Sequence, residues 1–154
     1  MTSAIETKLA ELGVTLPEAP AAAGNYVPYV IAGDMVFVSG QISMDVTGPL
    51  TGKLGDDYTV DQGMAAAKTC AINLLTQLKA ACDGDLDRLV RVVKLGGFVN
   101  STPDFTDQPK VINGASDFLV EALGDIGRHA RAAVSAPSLP LGVAVEIDGV
   151  FQIK

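Results

Sequence analysis

The stretch Gly127-Arg-His-Ala-Arg-Ala-Ala-Val-Ser-Ala-Pro-Ser-Leu-Pro-Leu-Gly-Val-Ala-Val-Glu-Ile-Asp-Gly-Val-Phe151 decides how this chain is read. Its β-rich halves predict two strands, Ala130–Ala136 and Gly142–Ile153, joined by the turn-forming Pro-Ser-Leu-Pro-Leu-Gly. Pairing across 137–142 sets Arg131 opposite Asp148 and Ala133 opposite Glu146, because cross-strand partners share a face. Arg131, Ala133, Glu146 and Asp148 then line one surface, and Val143, Val145 and Ile147 point to the other. A guanidinium near a carboxylate on a strand surface is often only a solvated ion pair worth little. It is also what capture of a small carboxylate needs, since Arg supplies a bidentate fork and Glu orients a water. A one-residue slip of register destroys the arrangement.

Working outward, the order α, ββ, α, β, α, ββ emerges. Residues 3–12 predict a short helix stopped by Gly13. Val27–Ile31 and Met35–Ser39 flank Ala32-Gly33-Asp34, a hairpin signal. Asp45–Asp57 predicts a loop. Thr59 and Gln62 have the spacing of a capping box, and the helix behind them repeats apolar residues at Ala67, Cys70, Ala71, Leu74, Leu75 and Leu78, with Gly84 closing it. Val90–Val99 is a strand. A second long helix starts near Pro109, buries Val111, Ala115, Phe118 and Ala122, and ends at Gly124. Paired strands with two long helices between them predict an α+β fold, helices on one face of a mixed or antiparallel sheet.

The chain has 154 residues, 48% of them hydrophobic, and the single domain predicted over 1–154 carries residues 1–18 as an N-terminal helical extension. Eleven Lys and Arg against 18 Asp and Glu give a net charge of −7, which argues against nucleic acid and anionic membranes. Neither a secretory leader nor a membrane span is recognisable, which points to a cytoplasmic protein. Two cysteines and one histidine are too few for a metal site or a disulfide framework. Cys70 and Cys82 lie roughly 18 Å apart along one helix, beyond disulfide reach. His129 reads as structural.

The segments Gly24-Asn-Tyr-Val-Pro-Tyr-Val30 and Val38-Ser-Gly-Gln-Ile42, the Asn113 helix, and Ala130-Arg-Ala-Ala-Val134 with the later Leu-Pro turn and Val-Glu-Ile-Asp resemble the Rid family. These are the reactive-intermediate deaminases, also called YjgF or, in older naming, the endoribonuclease L-PSP or translation-inhibitor family. The likeness runs from Ala19 onward, and the N-terminal helix, Gly114-Ala-Ser116 and Gly-Arg-His-Ala-Arg resemble one divergent branch. The resemblance implies a chorismate-mutase-like α+β fold and a homotrimer with clefts between subunits. It also implies hydrolysis of 2-imino or enamine acids, such as 2-aminoacrylate, to a 2-keto acid and ammonia, with no cofactor and no metal. By motif position, Arg131 matches the carboxylate-binding Arg and Glu146 the water-positioning Glu, while Tyr26, Ser39, Gly40 and Asn113 match substrate-binding residues of the cleft.

The chain departs from the family pattern at three points. Ala133 stands where active members often carry a Cys, Asn25 replaces the Pro of a common Gly-Pro-Tyr, and a short insertion separates Asp104-Phe105 from Asn113. Two other functions compete with deamination. One is the endoribonuclease of the older name, disfavoured because three chains of −7 carry −21 and no His pair is present. The other is a non-catalytic module that binds a small carboxylate.

Overall fold

The computed structural model describes residues 3–21 and 24–154. Helix α1 (Ala4–Glu11) begins at a full capping box of Ser3 with Glu6, and the chain leaves it through Gly13 at φ +77°. Part of the turn-rich passage that follows, Ala22 and Ala23, lies outside the described residues. Strands β1 (Tyr29–Ala32) and β2 (Met35–Ile42) form the expected hairpin about Gly33, whose φ of +63° suits glycine in a tight turn. The predicted 45–57 loop holds a small hairpin, β3 (Met44–Asp45) with β4 (Gly48–Pro49).

Helix α2 (Val60–Ala81) starts at the predicted Thr59–Gln62 capping box and buries Ala67, Cys70, Ala71, Leu74, Leu75 and Leu78. Strand β5 (Leu89–Asn100), helix α3 (Gln108–Leu123) and strand β6 (Ala130–Ala136) follow, and β7 (Val145–Ile153) ends the fold. Pro109 occupies the first turn of α3, Gly124 caps it, and Val111, Ala115, Phe118 and Ala122 are buried as its periodicity predicts. Cys70 and Cys82 are both buried free thiols, and burial pushes both pKa values up, that of Cys70 well up, which disfavours the thiolate at both.

The sheet runs β1-β2-β7-β5-β6, antiparallel except for β5 beside β6. Here the pairing expected for the last two strands fails. Strands β6 and β7 do not pair; β5 lies between them, parallel to β6 and antiparallel to β7. The cause is the crossover: β5, α3 and β6 form a βαβ unit, which returns the chain parallel to its starting strand. The Pro-rich connection then passes over the end of β5, where Asn100 donates from its backbone to Ala144 and from its side chain to Val143. Val143 and Ala144 are accordingly buried connection rather than strand.

Alternation along β7 separates the two faces of the sheet. Val145, Ile147 and Phe151 point into a core shared with Leu74, Leu75 and Leu78 of α2 and Val111, Ile112 and Leu119 of α3. On the other face Val30, Phe37, Phe98 and Val134 stay exposed, Phe37 to 47%. The outcome is the α+β architecture expected, with both long helices on one face.

Candidate functional site

Strand alternation also places the predicted site residues, in two groups. Arg131 pairs with Leu95 of β5, a core-facing position, so its side chain leaves the sheet on the helix side of the β6 edge. There one Nη donates to Ser116 Oγ at 3.0 Å and the other to the Pro109 carbonyl at 3.2 Å. Pro109, Asn113 and Ser116 follow the i, i+4, i+7 spacing of one helical stripe, so Asn113 belongs to the same edge. Guanidinium carries five N–H donors and two are used here, which leaves enough for one bidentate carboxylate.

Glu146 lies elsewhere. It pairs with Phe98 and with Ile42, both on the face away from the helices. Its carboxylate occupies the space a side chain at Gly40 would need, and the Asp148 carboxylate does the same over Gly96. Glycine at these two points therefore leaves the space in which the two carboxylates lie. Burial and then the like charge of Asp148 push the Glu146 pKa above its ordinary value. Gly40 and Ser39 sit where β2 is bulged between Val38 and Gln41, and Ser39 donates through its hydroxyl to the Val27 carbonyl at 2.9 Å. Tyr26, 58% exposed, lies in the segment that precedes β1.

The shared surface expected for Arg131, Ala133, Glu146 and Asp148 is thus not formed. Arg131 and Ala133 occupy core-side positions of β6, and Glu146 and Asp148 project from the opposite face of β7. Two strand spacings, about 10 Å, separate the columns as well, and Ser39–Gly40 lies a further strand away. The chain brings Arg131 and Asn113 to one edge, and separately Ser39, Gly40 and Glu146 to another part of the sheet, with Tyr26 in the segment before β1.

Two residues of the Arg131 edge were not foreseen as a pair. His129 Nδ1 lies 2.6 Å from the Gly127 carbonyl, and its Nε2 lies 2.8 Å from Ser116 Oγ. Burial pushes the His129 pKa down and the Arg131 charge adds to this, against an upward pull from the Gly127 carbonyl. The signal is in the spacing: His129 stands two residues before Arg131, just ahead of β6, and Ser116 three after Asn113 shares its side of a helix. Among the described residues no group of three or more His, Cys, Asp or Glu is placed to hold a metal ion, and no helix is long and apolar enough to cross a membrane.

A mixed five-stranded sheet with two long helices on one face, and an Arg strand and a Glu strand flanking β5, define a YjgF-like protein. Residues 6–149 match the family described as YjgF/chorismate_mutase-like, putative endoribonuclease. The chain belongs to this family, the Rid family of the sequence resemblance. It is 50% identical over 152 residues to Protein TCP17 of Trypanosoma cruzi, covering 97% of this chain and 94% of that one. It is 31% identical to a 2-iminobutanoate/2-iminopropanoate deaminase of Salmonella typhimurium over 89% of this chain and 94% of the relative. Among solved structures, Atu1372 of Agrobacterium tumefaciens, titled as of unknown function, superposes with a TM-score of 0.90 at 48% identity, covering 97% and 94% of the two chains.

Proposed function

We propose that this protein is a cytoplasmic homotrimer that hydrolyses 2-imino or enamine acids to 2-keto acids and ammonia in clefts between its subunits, without a cofactor. The observation that carries the reading is the split site. Among the described residues Arg131, prearranged to take a carboxylate, makes no ion pair with one, and Glu146, its charge opposed by burial and by Asp148, makes none with a cation. A three- or four-carbon acid is too short to bridge the two within one chain. A second copy, set with its Glu146 face against the Arg131 edge of the first, completes the site. The exposed Val30, Phe37, Phe98 and Val134 supply apolar surface for such a contact.

In that cleft Arg131 binds the substrate carboxylate and fixes the imine carbon, with Asn113, Tyr26, Ser39 and Gly40 shaping the walls. Glu146 accepts a hydrogen bond from a water and turns its lone pair toward C2. The C–O bond forms as the C=N π pair moves to nitrogen, and the proton that the attacking water gives up to Glu146 passes to that nitrogen. The carbinolamine then collapses: its hydroxyl proton moves by way of Glu146 to nitrogen, C=O is restored, and the C–N bond breaks with its pair leaving on ammonia. Orientation and charge complementarity supply the rate, and the raised pKa of Glu146 suits a group that takes and returns a proton.

A coupled assay tests the reading: an amino-acid oxidase generates imines, and release of keto acid is timed with and without the protein. Acceleration above the spontaneous rate is expected, and its absence refutes the activity. Light scattering should give about three times the 15.9 kDa chain mass. A stable monomer at micromolar concentration removes the shared cleft.

A further inference from the structure

The deamination steps use Arg131 and leave Ser116 and His129 without a task, yet these three side chains form one connected chain of hydrogen bonds. A carbonyl can only accept, so the 2.6 Å contact with Gly127 puts the ring proton of neutral His129 on Nδ1. Nε2 is then an acceptor, and the hydroxyl proton of Ser116 points to it across 2.8 Å. With that proton committed, Ser116 Oγ presents lone pairs to Arg131, which donates to it at 3.0 Å. Every bond runs in one direction, from Arg131 through Ser116 and His129 to Gly127.

Both ends of this chain are fixed. Gly127 has no room for a side chain, because a Cβ would fall on the Leu119 carbonyl near the end of α3. At the other end the second Nη of Arg131 is held by the Pro109 carbonyl in the first turn of the same helix. Ser116 also gives up the bond a helical hydroxyl usually makes to the carbonyl one turn back. Thr76 of α2 makes that bond, to Ile72 at 3.0 Å, whereas the contacts of Ser116 Oγ are with His129 and Arg131.

We propose that Ser116 and His129 are positioning residues that hold the Arg131 guanidinium, before substrate arrives, in the orientation that recognises a carboxylate. An Arg side chain is flexible, and fixing it in advance removes the ordering cost from binding. The inference rests on reading Arg131 as the carboxylate anchor. It adds that the His-x-Arg spacing of β6 and the Ser of α3 act as a unit.

The test uses the full chain, with 2-oxobutanoate as the binding probe in calorimetry and imine hydrolysis as the kinetic readout. Ser116→Ala is expected to raise both Kd and KM about 10-fold, the order of one charge-assisted hydrogen bond, with kcat within about twofold. Ser116→Thr keeps the hydroxyl and should restore wild-type binding, and His129→Gln should fall between. Because the chain has one histidine, its imidazole nitrogen resonances need no assignment. They should report the Nδ1–H tautomer in the wild type and a changed Nε2 environment in Ser116→Ala. A purely structural role would lower the melting temperature and leave Kd alone. If Ser116→Ala and His129→Gln fold and bind 2-oxobutanoate like the wild type while Arg131→Ala does not bind, the positioning role is refuted and the anchor stands. If Arg131→Ala itself binds normally, the anchor reading falls and takes this inference with it.

Discussion

The edge formed by β6 and α3 and the open face formed by β2 and β7 solve opposite problems. At the edge, Arg131 is surrounded by acceptors and its orientation is set within one chain by Ser116 and the Pro109 carbonyl. On the open face, Glu146 and Asp148 stand on one side of β7 with no ion pair to a cation among the described residues, their carboxylates lying over Gly40 and Gly96. One region is preorganised and satisfied; the other stores electrostatic cost. Placed in separate copies facing each other, the two would be complementary. Within one copy they are on opposite faces of a sheet and do not interact.

The comparison breaks first at Arg131. Arg131→Ala should reduce imine hydrolysis by about 30- to 1000-fold, on the order of 2–4 kcal/mol of transition-state stabilisation. Stability should change by about 1 kcal/mol or less, because the bonds lost are at a sheet edge. Lys should rescue poorly, since a point charge does not reproduce the fork. An unchanged rate in a folded protein would remove Arg131 from the site.

Glycine substitutions sharpen the contrast between regions. At Gly114 of α3 a Cβ would lie 2.7 Å from Cα of Met64, and helix backbone cannot step aside. Gly114→Ala should therefore cost about 3 kcal/mol, measured by chemical denaturation. At Gly40 the nearest atoms belong to the Glu146 side chain, whose carboxyl carbon would be 3.0 Å away and can rotate clear. Gly40→Ala should cost under about 1 kcal/mol of stability and yet slow hydrolysis about 10-fold, because the carboxylate that orients water has moved. Equal stability losses at the two positions would contradict this account.

The same two regions show what was legible in the sequence. Capping residues, helical periodicity and glycine stops are local, and Thr59–Gln62, Pro109 and Gly124 mark their helices as predicted. Which strand sits beside which is not local. The Leu-Pro turn looks like a hairpin connection, but β5 takes the place between β6 and β7 because α3 returns the chain parallel to it. That one misplaced pairing put Arg131 and Glu146 on a common surface. The resemblance to a family supplied the two residues themselves without supplying their geometry. The role of His129 is not legible locally, because its partner, Ser116, is thirteen residues away on another element.

The smallest expected effect tests the stored cost on the open face. Glu146 has a pKa raised above 4.5, by burial first and by Asp148 second. Between the unfolded and folded pKa values the native state holds more protons than the unfolded chain, so stability falls as pH rises through that window. Below the unfolded pKa both states are protonated at this position and the cost vanishes; above the folded pKa it is present in full. Glu146→Gln carries no such cost. Its melting temperature should therefore exceed that of the wild type at pH 7, and the gap should close as pH falls below the ordinary carboxylate range. Asp148→Asn should give part of the same gain, since it relieves the second cause and leaves the first. It should also shift the acid limb of the hydrolysis profile to lower pH by lowering the Glu146 pKa. Arg131→Lys, on the opposite side of the sheet, should leave the pH dependence of stability unchanged. A stability gap in Glu146→Gln that widened toward acid would mean that the carboxylate is favoured by its surroundings, and the contrast between the two regions would be lost.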